Sequence, residues 1–269
     1  KDAKMDKQIE YIQKVLRLVA DAPKSTSAPV LVRDMYDLQK EMFGIYADYT
    51  KIKSHFNQIM LGMEETLWDK LIRAKEPLKM AIQYAMIGNY IDFAALKDVK
   101  EDTLMEFLEK APNEKVEERE LLSLQKELED AKELVYLLDN CGEIVIDKLF
   151  MRLIKELYPQ IHITAFVRGG LVMNDATKED ALEVGLKDVA TVLENGSNIA
   201  GTSLEKISQK ARDVLDSADV IIAKGQGNFE TLHQCGKNIY YIFMCKCQMF
   251  VNRFSLPQFS GVLVNEKHI

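Results

Sequence analysis

Residues 134–157 read LVYLLDNCGEIVIDKLFMRLIKEL, and this stretch decides the fold. Its first five residues, 134–138, form an apolar run with the length and composition of a buried strand. A polar turn follows at residues 139–142, and apolar residues then recur at helical spacing over Glu143–Leu157. A strand, a tight turn and an amphipathic helix together make the first half of a crossover unit, so a parallel sheet is predicted here.

The same alternation of strand and helix continues toward the C-terminus. Further strands are predicted at residues 161–167, 189–193, 220–223 and 239–244, with helices at 143–157, 178–184 and 203–215. Thr202 precedes Glu205 by three residues, a spacing typical of a capping box at the start of the last helix. Because parallel strands need right-handed crossovers, we predict a Rossmann-like α/β domain with three layers, α/β/α, and a mostly parallel sheet.

Residues 1–115 show a different pattern, which is almost entirely helical. Ile9, Ile12, Leu16 and Val19 fall at three- and four-residue spacing, as apolar residues of a helix do. The proline-containing stretch 22–29 separates the first helix from the next, and a further helix is expected to begin at a later proline, residue 77. The charged segment 113–132 is interpreted as a solvated helix. We therefore predict an all-helical subdomain over residues 1–115 and the Rossmann-like domain over 116–269.

The composition limits the classes of function. A net charge of −7 and a pI near 5.3 argue against a nucleic-acid partner, because such proteins usually carry a basic face. No apolar run approaches the length of a membrane span, and no signal-peptide pattern opens the chain. The four cysteines lack the spacing of a disulfide scaffold, which favours reduced thiols. We therefore expect a soluble cytoplasmic protein with no membrane or nucleic-acid partner.

Polar residues follow each predicted strand at its carboxyl end, where open parallel sheets bind ligands. The first strand is followed by Asp139 and Asn140, and the second by Arg168 and, shortly afterwards, Asp175. The third and fourth strands run into glycines, an amide and two lysines: Lys224, Gly225, Gly227, Asn228 and Lys246. Carboxylates, amides and cations are thus expected to meet at one edge of the sheet.

Asp139, Asn140 and Asp175 are the candidate metal ligands. They carry hard oxygen atoms, which suit Mg²⁺, Mn²⁺ or a related divalent ion. An alternative role for Asp139 is to cap the helix that follows it, a common task for aspartate. Glu143 lies at the start of that helix, where the helix dipole is a sufficient explanation for a carboxylate.

The turn around Gly225 and Gly227 is a candidate phosphate site, because backbone N–H groups at a helix start can hold an anion. Arg168, Lys224 and Lys246 can neutralise phosphate charge, although an ordinary ion pair explains each of them equally well. The dinucleotide-binding fingerprint is not met, since its third glycine is replaced by glutamate at residue 230.

Asn89 and Asp92 interrupt an apolar run in the helical half. They are explained either by a turn between helices or by a contact from the helical half to the active site, and we count both among the expected substrate- and phosphate-binding residues. None of the four histidines pairs with a cysteine or serine in the order of a known catalytic triad, so core or solvated histidines are expected.

Four segments as a set resemble the damage-control phosphatase family, long catalogued as a domain of unknown function. They are LLDNCGE at 137–143, RGG at 168–170, NDAT at 174–177 and KGQGNFE at 224–230. The likeness covers residues 134–250 and extends weakly to 88–93, Asp48, Tyr49 and Lys53. One departure is that no cysteine precedes Cys141, whereas many similar members have a cysteine pair near the N-terminus, so either the start is trimmed or the subgroup differs.

The resemblance implies a helical subdomain on a three-layer domain. It also implies that Asp139, Asn140 and Asp175 hold the metal, and that Lys224, the glycine loop and Lys246 face a substrate phosphate. The implied substrates are small phosphate monoesters, such as sugar phosphates or damaged phosphometabolites. The implied cofactor is a divalent ion (Mg, Mn, Ni or Co).

For the mechanism we expect the metal to activate a water that attacks phosphorus. Asp139 as a covalent nucleophile is the alternative, but aspartate-dependent phosphatases usually have a second aspartate where this chain has Cys141. Two other functions stay open: an S-adenosylmethionine-dependent carboxyl methyltransferase, and a non-catalytic module that binds phosphorylated ligands. The expected partner is a small phosphorylated metabolite, and the oligomeric state is left open.

Overall fold

The computed structural model describes residues 3–44, 48–91 and 100–269. Six helices precede the sheet within these ranges: α1 (Ala3–Asp21), α2 (Ala28–Phe43), α3 (Thr50–Ile72), α4 (Pro77–Gly88), α5 (Glu101–Lys110) and α6 (Glu118–Asp130). The predicted break after the first helix and the helix start at Pro77 are confirmed. Among the described helices, none combines the length and the apolar character needed to cross a membrane.

Six strands form one sheet: β1 (Glu133–Leu137), β2 (His162–Val167), β3 (Thr191–Glu194), β4 (Val220–Lys224), β5 (Ile239–Met244) and β6 (Gly261–Asn265). Their order is β3-β2-β1-β4-β5-β6, with only β6 antiparallel to its neighbour. This is the doubly wound order of Rossmann domains. The predicted fold class is confirmed.

Five further helices flank the sheet: α7 (Glu143–Leu157), α8 (Lys178–Glu183), α9 (Gln209–Asp216), α10 (Gly225–Leu232) and α11 (Gln248–Phe254). The predicted bounds of α7 and β5 agree with the structure. The helix predicted at 203–215 is wrong in its first part, because α9 is capped by Ser208, whose hydroxyl accepts from Ala211 N. The Thr202 hydroxyl is not a cap but donates to Asn228 Oδ1 at 2.8 Å.

Strand residues alternate between two apolar clusters, one on each face of the sheet. Leu134 and Tyr136 pack with α3, α4 and α7, whereas Val135 and Leu137 pack with α9, α10 and α11. The strands are therefore buried on both faces, as parallel sheets require. The first cluster includes residues from both the helical half and the sheet, so the two halves share one core. The division at residues 115 and 116 stays a prediction.

Helix α4 packs tightly against two elements of the second half. A Cβ atom on Gly88 would lie 2.8 Å from Ile146 Cδ1 of α7, and one on Gly261 of β6 would lie 2.5 Å from Met86 Sδ of α4. The backbone N–H of Gly261 also donates to Glu114 Oε1 at 2.7 Å. The helical half is thus fixed to the last strand of the chain as well as to α7.

Helix α1 lies outside the shared core. It packs against α2, with the Tyr11 ring edge-on to Phe43 at 5.6 Å between centroids. Its apolar residues stay largely exposed: Met5, Ile9, Ile12, Leu16 and Val19. The periodicity that predicted this helix therefore does not mark core residues.

The shared core predicts one cooperative unfolding transition. Trp68, the single tryptophan, is buried in α3 and reports on the helical half, whereas far-ultraviolet circular dichroism reports on the whole chain. The two urea transitions should coincide. Ile82→Ala should lower the free energy of unfolding by about 2–5 kcal/mol in both measurements, because Ile82 is fully buried in α4. Ile12→Ala, at an exposed site in α1, should change stability by less than about 0.5 kcal/mol. A fluorescence midpoint clearly below the dichroism midpoint would contradict a shared core.

Candidate active site

The candidate residues lie at the carboxyl edge of the sheet, where β1 and β4 are neighbours and the strand order reverses direction. Such a switch point leaves a crevice between the loops that follow the two strands. The loop after β1 pairs there with the loop after β2: Cys141 N donates to Asn174 O at 2.8 Å, and Ala176 N donates to Asp139 O at 2.7 Å. This short antiparallel bridge places Asn140 opposite Asp175.

Arg168 lies between the two carboxylates. Its Nε donates to Asp175 Oδ2 at 2.6 Å and its Nη2 to Asp139 Oδ1 at 3.3 Å. Its Nη1 donates to Asn228 Oδ1 at 3.5 Å, and the whole side chain is buried. Arg168 therefore balances the carboxylates in this structure, and its predicted contact with a substrate phosphate stays a prediction.

Asp139 is held from two sides by amide groups. Asn140 Nδ2 donates to Asp139 Oδ2 at 2.7 Å, and Asn89 Nδ2, from the end of α4, donates to the same oxygen at 3.0 Å. Both amides also donate to the buried carboxylate of Glu143. The helical half therefore contacts Asp139 through Asn89, which is one of the two explanations that the sequence left open. The expected role of Asn89 in substrate binding stays a prediction, and Asp92 lies outside the described residues.

Negative charge is crowded around Asp139. Burial raises the pKa of Asp139 well above its usual range, and the neighbouring carboxylates of Asp175 and Glu143 raise it further, while Lys246 and Arg168 act in the opposite direction. Lys246 is itself buried and donates from Nζ to Asn89 O at 2.7 Å. A bound cation would relieve this repulsion between carboxylates.

The oxygen donors present fit a hard divalent ion in kind. In the described parts of the chain, no three histidine, cysteine, aspartate or glutamate side chains converge in a metal-binding arrangement. The set here consists of two carboxylates, Asp139 and Asp175, and the amide of Asn140. That amide directs Nδ2 to Asp139, and its Oδ1 accepts from Asn174 Nδ2 at 3.0 Å, which leaves the second lone pair of Oδ1 available.

Lys224 does not face the crevice, which corrects the sequence expectation. Its side chain is fully buried, and Nζ contacts Glu143 Oε1 at 2.5 Å and Asp147 Oδ1 at 2.7 Å. Burial lowers the pKa of Lys224, but Asp147 and Glu143 together raise it above its ordinary value. The reason is strand parity: Lys224 shares a face of β4 with Ile222, which packs on the α7 side of the sheet.

Asn228 also has a structural role here, because hydrogen bonds to the protein occupy its side chain, so it is not a free phosphate ligand. It is fully buried, and its Nδ2 donates to Leu138 O at 3.2 Å and to Lys224 O at 2.7 Å. Its Oδ1 accepts from the Thr202 hydroxyl and from Arg168. The side chain therefore ties together the loops that follow β1 and β4.

Gly225 and Gly227 allow the start of α10 to press against the site. Gly225 has a φ of +79°, and a Cβ atom there would lie 1.9 Å from Asp139 Oδ2. A Cβ atom on Gly227 would lie 2.2 Å from Ala200 O. The glycine loop thus has a packing role, and its predicted role in phosphate binding stays a prediction.

A cavity of about 250 Å³ opens above these groups. Its lining includes the predicted trio of Asp139, Asn140 and Asp175, one face of α10, and the first turns of α2: Gln226, Gly227, Glu230, Ala28, Pro29 and Val32. Sequence reasoning missed Gln226 and Glu230, although their four-residue spacing just after β4 places both on one helix face. No sequence signal indicates that α2, far earlier in the chain, forms the opposite wall.

A second cavity, of about 530 Å³, lies on the other side of Arg168, between α3 and α8. Lys53 in its wall forms an ion pair with Asp180 at 2.6 Å. Its lining is rich in carboxylates and hydroxyls, namely Thr50, Ser54, Thr177, Glu179, Asp180, Glu183 and Glu194. Arg168 therefore lines this second cavity and also contacts the two carboxylates that line the first.

The fold and the site define a class of α/β proteins that hold a carboxylate and amide cluster at the switch point of a doubly wound sheet, beneath a helical cap. Within that class the chain belongs to the damage-control phosphatase family. The family model described as "Damage-control phosphatase ARMT1-like domain" matches residues 1–260. The resemblance seen in the sequence motifs is confirmed, and family membership supports an enzyme with a phosphatase role.

Relatives from archaea extend this assignment. A damage-control phosphatase of Pyrococcus horikoshii is 32% identical over 197 residues, covering 72% of this chain and 67% of that protein. One from Archaeoglobus fulgidus is 31% identical over 213 residues, covering 77% and 72%. The crystal structure of a DUF89 family protein from Pyrococcus horikoshii superposes with a TM-score of 0.79 at 25% identity, covering 97% of this chain and 90% of that one.

The burial of Lys224 predicts that its loss harms stability more than substrate binding. Lys224→Met leaves two carboxylates buried without their cation and should lower the free energy of unfolding by about 3–5 kcal/mol, measured by urea denaturation. Adding Asp147→Asn should restore part of the lost stability, because it removes one of the two buried carboxylates that the first substitution leaves without a cation. Unchanged stability together with a raised KM for a phosphate ester would instead indicate a substrate ligand.

The close approach at Gly225 predicts a clash beyond ordinary backbone strain. Gly236 has a similar φ of +77° but open space around its Cβ position, so Gly236→Ala isolates the conformational cost of about 1–2 kcal/mol. Gly225→Ala should cost about 1–3 kcal/mol more, because the methyl group displaces the Asp139 carboxylate. Thermal unfolding of both variants measures the difference in stability. Equal unfolding midpoints would mean that the loop around Gly225 shifts freely to make room for the methyl group.

Proposed function

We propose that this chain is a divalent-metal-dependent phosphatase that hydrolyses small phosphate monoesters at the crevice around Asp139. The observation that carries this proposal is the pair of buried carboxylates, Asp139 and Asp175, joined by Arg168 at the base of an open cavity. Arg168 supplies one positive charge to two buried carboxylates, and a bound cation would balance the negative charge that this pairing leaves. Family membership supplies the phosphatase role.

The residues that would hold the metal are Asp139, Asp175 and Asn140, and the ion would be Mg²⁺, Mn²⁺, Ni²⁺ or Co²⁺. Their oxygen atoms suit hard divalent ions, and the crowding of carboxylates around Asp139 favours a cation there. When bound, such an ion polarises a phosphoryl oxygen and makes a water molecule more acidic.

The chain's own groups have separate tasks in this scheme. Asn89 and Asn140 fix the Asp139 carboxylate, so its two oxygens keep one orientation. Arg168 and Lys246 place positive charge beside the carboxylates, where negative charge grows on the phosphoryl oxygens during transfer. Oδ2 of Asp139 accepts from both amides, whereas Oδ1 accepts from Arg168 and keeps a second lone pair that a metal ion could use. Asp139 as a covalent nucleophile stays the alternative.

The proposed substrate is a small phosphorylated metabolite with several hydroxyl groups, such as a sugar phosphate. The cavity around Asp139 has room for a phosphate group, and the larger cavity beyond Arg168 offers serine and threonine hydroxyls and carboxylates to a polyol. The excess of acidic groups in the larger cavity disfavours a second phosphate there. We also propose a cytoplasmic setting, on the cysteine pattern alone.

Phosphate release from sugar phosphates and from p-nitrophenyl phosphate tests this function. Release should require Mg²⁺, Mn²⁺, Ni²⁺ or Co²⁺ and stop with a chelator, because the carboxylates alone do not activate a phosphoryl group. Asp139→Asn should lower kcat/KM by about 100-fold or more and weaken metal binding in calorimetry.

Asp216→Asn is the matched control for this experiment. Asp216 makes a surface ion pair with Lys237 at the far end of α9, and 67% of its side chain is exposed. This variant should keep wild-type activity and metal affinity. Full activity in the presence of chelator, or in Asp139→Asn, would refute the proposed function.

A further inference from the structure

Glu230 lies on the face of α10 that borders the crevice, in the wall of the cavity that is also lined by Asp139, Asn140 and Asp175. It also lines a third cavity, of about 600 Å³, which lies between the loop that joins α1 to α2, the loop before α9 and the end of α10. We call this third space the outer cavity. Glu230 is thus common to the walls of the crevice and of the outer cavity.

The carboxyl group of Glu230 is open to a ligand. Among the residues that the structure describes, no group forms a hydrogen bond or an ion pair with this carboxyl. The residue is only partly buried, and its two carboxyl oxygens remain accessible. The other carboxylates of the crevice differ, because Asp139 and Asp175 both accept from Arg168. Glu230 is therefore a carboxylate of the crevice that the fold itself does not use.

The surroundings of Glu230 suit it to proton transfer. Burial raises the pKa of Glu230 above its ordinary value. A carboxylate with a raised pKa is a stronger base, because it holds a proton more firmly once it has taken one up. Glu143 is not available for this task, since it is fully buried and paired with Lys224.

The direction of attack decides which group can serve an incoming water. In phosphoryl transfer the attacking oxygen and the leaving oxygen lie roughly in line, on opposite sides of phosphorus. The second cavity, which we assign to the polyol, is lined by Arg168, whereas Glu230 lines the outer cavity on the α10 side of the crevice. The leaving group and the water therefore reach the crevice from different cavities, and Glu230 lies on the side of the water.

We propose that the Glu230 carboxylate is the general base that accepts a proton from the attacking water. The inference rests on the proposed phosphatase function and adds a catalytic residue to it. The water oxygen forms a bond to phosphorus while the ester P–O bond breaks. The electron pair of the broken bond stays on the leaving oxygen, which takes a proton from solvent. Glu230 then releases its own proton to water in the outer cavity, which restores the carboxylate.

Glu230→Gln tests this assignment, with Glu205→Gln as the matched control. Glu205 is an exposed carboxylate in the wall of the outer cavity. Glu230→Gln should lower kcat by more than about tenfold for p-nitrophenyl phosphate and for a sugar phosphate alike, because water attacks both. Its Tm should stay level, since glutamine has the same shape and the carboxyl group has no partner to lose. Glu205→Gln should keep the wild-type kcat.

Calorimetry with inorganic phosphate in Mg²⁺ buffer gives a second readout that does not depend on turnover. A carboxylate close enough to take a proton from the attacking water repels a bound phosphate, so Glu230→Gln should bind phosphate about 3- to 10-fold more tightly. A merely structural role predicts the opposite, since a disturbed crevice binds phosphate less well. Glu205→Gln should bind phosphate as the wild type does.

The assignment is overturned if kcat of Glu230→Gln falls by less than the expected factor, or if phosphate binding is unchanged or weaker. It is also overturned if the fall is confined to the sugar phosphate, which would mark Glu230 as a proton donor to the leaving oxygen. A wild-type protein that releases no phosphate from any ester refutes the proposed function, and this role with it. An active wild type with an equally active Glu230→Gln variant refutes the role of Glu230 alone.

Discussion

The ion pairs that Arg168 makes with Asp139 and Asp175 set the conditions for the rest of the site. They bring together loops that follow two different strands, and the backbone bridge between those loops fixes their spacing. Beneath them a second buried group repeats the pattern, with Lys224 between Glu143 and Asp147. In the described network the carboxylates outnumber the cations by one: Asp139, Glu143, Asp147 and Asp175 against Arg168, Lys224 and Lys246. Burial raises the pKa of Asp147 to about 7, because the loss of hydration outweighs the opposing effect of Lys224.

Much of the fold could be predicted because buried parallel strands are continuous apolar runs that end in polar turns. β1 and β5 are of this kind, and α7 begins where the apolar spacing changes from strand to helix. β6 was missed. It follows a short helix and pairs antiparallel with β5, whereas the prediction relied on strands and helices that alternate to form a parallel sheet. The early start predicted for α9 failed because Thr202 bonds to a distant side chain, a tertiary contact that local spacing cannot reveal.

The convergence of Asp139, Asn140 and Asp175 was also predictable, because parallel strands bring their carboxyl ends to one edge. What a strand end does not reveal is the face to which its last side chain turns. Counting parity back along β4 from Lys224 to the apolar residues would have placed that lysine on the α7 side, beside Glu143. Gln226 and Glu230 were not assigned to the site, although their four-residue spacing places both on one face of α10.

The contact between α4 and β6 has a consequence for how the chain folds during synthesis. Met86 packs on Gly261, and Glu114 accepts a hydrogen bond from the backbone of that same glycine, which belongs to the last strand. Helix α4 and the residues around Glu114 therefore cannot complete their packing until β6 has been synthesised. Until then they expose apolar surface that the sheet will later cover. In the interval between the synthesis of α4 and that of β6, this apolar surface is open to contacts with other chains.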